Sequence, residues 1–334
     1  MEKPAPRATA PSDTAVELKG VSKYFDQRQH DGRMIDNLLH PRFKRVAALS
    51  EVSFSLRRGE FVAYAGPNGA GKSTTFKLLC GLLAPDGGSL SVLGMNPIKQ
   101  RIPLMKRVGV LFGNRSELWW DHPVRASFEW KKTVWDIGED RYRRMMDMVC
   151  DLLGVDELMD TFVRELSLGQ RMRADLALML VSEPELVLLD EPTLGLDVLA
   201  KRQMIDFLKA INREKRTTIL VTSHDMDDLT AMARRLMLIH HGKVAFDGAP
   251  NELTRLTGDR RIITLDRAGE APELPGARLI KSEAGRHSYA FDGNAASIQQ
   301  LLFHVAQIPG VRDIETSRQG IEEVIAQLYK EWKK

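Results

Sequence analysis

The sequence predicts an α/β domain followed by a small α+β domain. Two nearly continuous apolar runs, "ELVLLDEP" (185–192) and "TTILVTSHD" (217–225), have the texture of strands buried on both faces of a parallel sheet. Between them "LAKRQMIDFLKAINREK" (199–215) alternates as an amphipathic helix does, and strand–helix–strand is the grammar of α/β domains. A third observation is the glycine-rich turn "GPNGAGKST" (66–74), with a strand pattern before it and a helical pattern after it.

In chain order, residues 1–14 are rich in proline and alanine and read as a disordered tail. "VELKGVSKYF" (16–25) alternates as a strand. "DQRQHDGRMIDNLLHPRFKRV" (26–46) is polar and rich in arginine and histidine, and reads as an inserted loop or short helix of mixed charge. "AALSEVSFSL" and "EFVAYAG" read as strands, residues 73–83 as a helix stopped by Pro85, and "RVGVLF" (107–112) as a strand. A charged helical region spans about 115–165, and a hairpin is expected around His241–Gly242. The pattern changes after residue 250. Residues 251–334 show three short strands, a helix, a strand and a last helix, an α+β domain separate from residues 15–250.

Composition narrows the class. A chain of 334 residues with 43% hydrophobic and 28% charged residues is ordinary for a globular protein. A net charge of +3 gives no argument for a nucleic-acid partner. The two cysteines, Cys80 and Cys150, form no metal-type spacing and suit a reducing compartment. No apolar run approaches the ~18 residues of a transmembrane helix, so membrane attachment is expected only through a docked partner.

The chemistry begins at the phosphate loop. Gly66, Pro67, Asn68, Gly69, Ala70, Gly71, Lys72, Ser73 and Thr74 satisfy G-x-x-x-x-G-K-[ST]. The glycines let backbone N–H groups converge on phosphate oxygens, and the helix start adds its positive end. Lys72 reaches the outer phosphates and the Ser73 hydroxyl can ligate Mg²⁺. Asp190 follows a buried strand directly, where a metal carboxylate is needed, and Glu191 comes next, placed to activate water. Two adjacent acids also suit a helix N-terminus or a solvated turn. His224 ends the other buried strand, at the sheet edge where α/β ligands bind; taken alone it better suits a packed or solvent-facing histidine.

"LSLGQRMR" (166–173) opens a helix, with Ser167 and Gln170 spaced as a capping box. The order phosphate loop, "LSLGQ", "LLDEP", "GLD", "SHD" resembles the nucleotide-binding subunits of ABC transporters, over about residues 16–250. Leu168 stands where the family usually has glycine. The insertion, the segment "FGNRSELWWD", "LSLGQRMR" and "SHDMDD" are most similar to ABC-2-type exporter ATPases.

The resemblance implies an ABC-type fold: a mixed sheet core, a helical subdomain and two copies sandwiching two ATP molecules head to tail. Lys72, Ser73, Asp190, Glu191 and His224 of one copy would then face Ser167, Gly169 and Gln170 of the other, with 195–197 as a crossing loop. Tyr24 matches the aromatic that stacks on adenine, with Phe25 as the alternative. The family's Mg²⁺-ligating glutamine is replaced by Asn114, whose side chain is shorter by about one bond, ~1.5 Å. ATP, Mg²⁺ and integral-membrane permease subunits at the cytoplasmic face are the implied cofactors and partners. Trp119 or Trp120 would line the groove that receives the permease, or else form the subdomain's own core. The competing class is a soluble ABC ATPase with no transport role.

Overall fold

The computed structural model describes residues 13–29, 42–112, 115–223, 225–256, 260–293, 298–318, 324–325 and 328–329. The chain divides into two compact units, Met1–Asp247 and Gly248–Lys334.

Among the described residues the first unit holds two sheets. β1 (Thr14–Gln29), β2 (Arg42–Arg57) and β4 (Gly87–Val92) form an antiparallel sheet in the order β2-β1-β4. A six-stranded sheet runs β5-β6-β7-β3-β8-β9, from β3 (Phe61–Ala65), β5 (Val108–Phe112), β6 (Leu186–Asp190), β7 (Thr218–Thr222), β8 (Arg235–His240) and β9 (Lys243–Gly248). Its first five strands pair in parallel. β3 and β7 are buried at every residue, as their unbroken apolar texture requires. The turn between β8 and β9 is His241–Gly242, both left-handed (φ 47° and 72°), which suits a tight hairpin.

Helix α1 (Lys72–Leu79) follows β3. Phe76, Leu78 and Leu79 share one buried core with Leu18, Leu49 and Val92 of the antiparallel sheet and with Tyr64, Leu188 and Ile239 of the parallel one. α1 is shorter than the expected 73–83. It ends before Gly81 (φ 64°), where a Cβ would come within 2.2 Å of the Pro97 carbonyl. Close backbone approach, rather than Pro85, stops the helix. β4 opens on two glycines and has only Leu90 and Val92 as an apolar signal; its pairing with β1 makes it a strand.

Residues 26–29 and 42–46 depart from the loop or short helix expected there. They prolong the β1–β2 hairpin, with Asp26 opposite Arg45 and Gln27 opposite Lys44. A two-stranded ribbon needs only backbone ladder bonds, and one pair across it, Asp26 and Arg45, is of opposite charge. Thr14 also joins β1, one residue inside the expected tail; the rest of that tail lies outside the described residues.

The helical part comprises α2 (Arg101–Met105), α3 (Val124–Val134), α4 (Glu139–Leu153) and α5 (Leu168–Leu180). α6 (Val198–Lys215) and α7 (Met226–Met232) follow β6 and β7. α8 (Pro250–Leu256) opens the second unit. There β10 (Arg260–Arg267), β11 (Ala277–Glu283), β12 (Arg286–Asp292) and β13 (Val311–Arg318) form the antiparallel sheet β11-β12-β10-β13, with α9 (Ile298–Ala306) against its core. Among the described residues no helix is long and apolar enough to cross a membrane.

Candidate functional site

The phosphate loop bridges β3 and α1. A Cβ on Gly66 would meet the Ile239 carbonyl oxygen at 2.3 Å. One on Gly71 (φ 115°) would meet Leu49 Cδ2 at 2.6 Å and the Ala48 carbonyl oxygen at 2.7 Å. The loop is therefore pressed onto β8 and β2, and only glycine fits at its two ends. Asn68 and Gly69 form its exposed lip, with Pro67 and Thr74 half-buried. The Gly242 N–H donates to the Ala70 carbonyl (3.0 Å), tying the loop to the hairpin turn. The first turn of α1 leaves its leading N–H groups without intrahelical acceptors, a ready anion site.

The Lys72 side chain is 7% exposed. Its Nζ donates to the carbonyl oxygens of Gly66 (2.7 Å) and Pro67 (3.4 Å), so the ammonium curls over the loop. Burial holds its pKa below the ordinary lysine value, opposed by the charges of Glu191 and Asp190.

Asp190 closes β6 beside Thr222 at the end of β7. The Thr222 hydroxyl donates to Asp190 Oδ1 (2.6 Å), and the Ser73 hydroxyl donates to Oδ2 (3.2 Å). Parallel register thus holds one carboxylate between two hydroxyls. Next to it Glu191 is left-handed (φ 58°), an unfavourable conformation for a residue with a side chain. The Glu191 N–H holds it there, donating to the Thr222 carbonyl oxygen and to Thr222 Oγ1, both at 3.1 Å. Ser73, Lys77, Phe112, Arg115, Asp190 and Glu191 line a cavity of about 380 Å³.

This donor set fits a hard divalent cation. The Ser73 hydroxyl and Asp190 Oδ2 already lie side by side, and Mg²⁺ binds through one or two carboxylates plus substrate phosphates. Among the described residues no cluster of three or more acids, histidines or cysteines forms a complete cage.

Ser167 caps α5. The Gln170 N–H donates to its hydroxyl (3.3 Å), and the Ser167 N–H donates to Gln170 Oε1 (2.8 Å), a full capping box. The Ser167 hydroxyl proton is left to donate elsewhere. Gly169 lies 4.0 Å, from an added Cβ, from both Leu196 and Ala200, so this helix start abuts the turn before α6.

Tyr24 lies opposite Ala47 in the hairpin, one residue from the Ala48 carbonyl that packs on Gly71. Its N–H donates to Asp86 Oδ2 (2.7 Å), and the Arg45 guanidinium sits 4.4 Å from its ring centre. The Phe25 ring has Lys23 Nζ 5.7 Å from its centre instead.

The structure thus brings Lys72, Ser73, Asp190 and Glu191 together and gathers Ser167, Gly169 and Gln170 at a different helix start. His224 and Asn114 lie outside the described residues. Their neighbours are defined. Asp225 caps α7 through the N–H groups of Asp227 and Asp228 and pairs with Lys201 (2.8 Å). Phe112 and Arg115 flank residue 114 and both line the cavity. Thr222, Asp86 and Arg45 were not foreseen. Thr222 alone left a trace in the sequence, as the first polar residue after an apolar run.

Comparison with known proteins bears on the family and the fold. The ABC transporter family profile matches residues 49–194. The ABC transporter ATP-binding protein NatA of Bacillus subtilis is 30% identical over 210 residues, covering 63% of this chain and 85% of that protein. The chain belongs to the ABC transporter family. As a member of it, the chain is an ATP-binding ATPase subunit with an ABC-type α/β cassette. The energy-coupling factor transporter ATP-binding protein EcfA2 of Clostridium tetani is 28% identical over 283 residues, 82% of this chain and 96% of that ABC protein. Among solved structures, cbiO1 of Clostridium perfringens, part of the ABC transporter complex cbiONQ, aligns with a TM-score of 0.59 at 26% identity. That alignment covers 72% of this chain and 91% of the other.

Proposed function

We propose that the chain is the ATP-hydrolysing motor of an ABC-2-type exporter, working on separate permease subunits at the cytoplasmic face of the membrane. The observation that carries the hydrolytic part is the Ser73–Asp190–Thr222–Glu191 cluster beside the phosphate loop. The ABC-2 part rests on "FGNRSELWWD", "LSLGQRMR" and "SHDMDD" in the sequence.

In this reading the loop N–H groups and Lys72 bind the β- and γ-phosphates. The Lys72 ammonium exchanges its carbonyl partners Gly66 and Pro67 for phosphate oxygens. Ser73 and Asp190 hold Mg²⁺, which when bound neutralises charge developing on the transferred phosphoryl group. Thr222 keeps Asp190 oriented. Glu191 takes the proton of the attacking water, and its constrained backbone aims the carboxylate. By the family resemblance His224 would contact the γ-phosphate or position the water, and Asn114 would stand at the Mg²⁺ position. A second copy supplies Ser167 and Gly169, whose helix start faces that phosphate, so ATP holds two copies together and hydrolysis releases them. Closure and opening bias the permease between two states by binding each differently.

Glu191→Gln tests the base. The variant is expected to lose about 10²–10⁴-fold in turnover and to accumulate as an ATP-dependent dimer in size-exclusion chromatography. Hydrolysis near the wild-type rate would show that Glu191 is not the base. Co-purification of a multi-spanning protein without ATPase motifs, encoded beside this chain, tests the permease partner.

A further inference from the structure

The prolonged β1–β2 hairpin puts a cation where the site described above has no role for one. Beyond Tyr24 the two strands remain paired for five more positions, from Phe25–Val46 to Gln29–Arg42. Residues 45 and 47 point to the same side of β2, and Ala47 lies opposite Tyr24. The ladder therefore delivers Arg45 diagonally over the Tyr24 ring, at 4.4 Å from its centre. The base of the arrangement is equally fixed. Asp86 accepts the Tyr24 N–H (2.7 Å) and the Lys23 ammonium (3.0 Å), and the Asp86 N–H donates to the Ser22 carbonyl (2.8 Å). The backbone that carries the ring is therefore held independently of Arg45.

We propose that Arg45 is a second nucleotide-binding residue, the outer wall of a base site whose inner wall is Tyr24. This rests on the reading of the chain as an ATP-binding subunit. Three features of the structure lead to it. The Tyr24 ring belongs to the strand pair that packs on Gly71 of the phosphate loop, which puts it on the element that borders the phosphate site. The Arg45 guanidinium covers one face of that ring. A guanidinium is planar and stacks on π faces, and a purine offers it the same kind of surface as the tyrosine does.

The Arg45 side chain is solvent-exposed on a two-stranded arm and has four rotatable bonds. It needs to rise by only one ring thickness, ~3.5 Å, to let the base slide between. Tyr24, base and Arg45 then form a three-layer stack. The arm thereby senses whether the site is filled, because Arg45 has one resting position on the tyrosine and another on the base.

The test is calorimetric titration of the full chain in Mg²⁺ with ATP, ADP and inorganic tripolyphosphate, for the wild type, Arg45→Ala, Arg45→Lys and Lys72→Ala. Arg45→Ala is expected to raise Kd for ATP and ADP about three- to tenfold, and to leave tripolyphosphate within about twofold. Arg45→Lys, which keeps the charge and loses the plane, is expected to lie nearer the alanine variant than the wild type. Unchanged or tighter ATP binding in Arg45→Ala would overturn the outer-wall role. So would an equal loss for tripolyphosphate, which marks a phosphate contact. Failure of the wild type to bind ATP, or wild-type affinity in Lys72→Ala, would instead overturn the nucleotide-site reading itself.

Discussion

Leu168 and Gly195 touch across two motifs of one chain. A Cβ added to Gly195 would stand 2.7 Å from Leu168 Cδ2, with Gly195 left-handed at φ 75°. The leucine that replaces a family glycine at the start of α5 therefore packs on the turn leading into α6.

Gly195→Ala is expected to cost about 1–2 kcal/mol from the left-handed backbone alone, plus a steric part against Leu168. Adding Leu168→Ala should recover the steric part only. A double-mutant cycle by denaturant unfolding checks this. Strict additivity of the two substitutions would show that the contact has no energetic weight.

Thr222 holds Asp190 through a 2.6 Å bond and receives the Glu191 N–H. Thr222→Val keeps the volume and removes both. ATP binding without metal should stay unchanged. The Mg²⁺ concentration for half-maximal hydrolysis should rise, and kcat should fall about tenfold, since a hydrogen bond to a charged group is worth ~1.5–3 kcal/mol. A Mg²⁺ titration of the ATPase rate checks it.

The tryptophans divide by geometry. Trp119, Trp130 and Trp135 form a ladder with centres 5.7 and 5.9 Å apart, and Lys131 Nζ sits 4.2 Å from the Trp135 ring centre. Trp120 stands outside it, 53% exposed against the Arg171 guanidinium. Trp119→Ala should destabilise the helical part by at least the ~0.5–1.5 kcal/mol of an aromatic pair. Trp120→Ala should leave melting unchanged and weaken co-purification with the permease. Reversed effects would exchange the two roles.

Asp175 on α5 is a buried acid whose pKa burial pushes up to about 6, against hydrogen bonds from the Ser116 hydroxyl and the Glu117 N–H. The unfolded carboxyl ionises near 3.9. Between about pH 4 and pH 6 the folded state therefore holds the extra proton, and stability falls as pH rises through that window. Asp175→Asn, which keeps an acceptor for both donors, should stabilise the chain by about 2 kcal/mol at pH 8. The gain should vanish by pH 4. Thermal melts at the two pH values check the sign, and a pH-independent difference would refute it.

Much of the site was legible in the sequence because each part has local chemistry. The loop residues Gly66–Thr74 need only glycine freedom and a lysine at fixed spacing. Asp190 and Glu191 announce themselves by following an apolar run. Ser167 and Gln170 follow the spacing of a cap, and the cap is present. Strands β3, β6 and β7 were visible because burial on both faces leaves no polar residue inside them.

What the sequence by itself determined, then, was the family, the α/β order and the phosphate chemistry, all carried by residues close in the chain. Only the tertiary structure decided how residues far apart meet. Thr222 reaches Asp190 because parallel strands bring 190 and 222 into register, a pairing that no local pattern encodes. Asp86 clamps Tyr24 across 62 residues of chain, and Leu168 reaches Gly195 across a helix. Residues 26–29 and 42–46 belong to a segment that reads as loop because it is polar, yet their backbone ladder makes them strand and sets Arg45 on the tyrosine. Backbone pairing, which side-chain composition does not report, placed that cation.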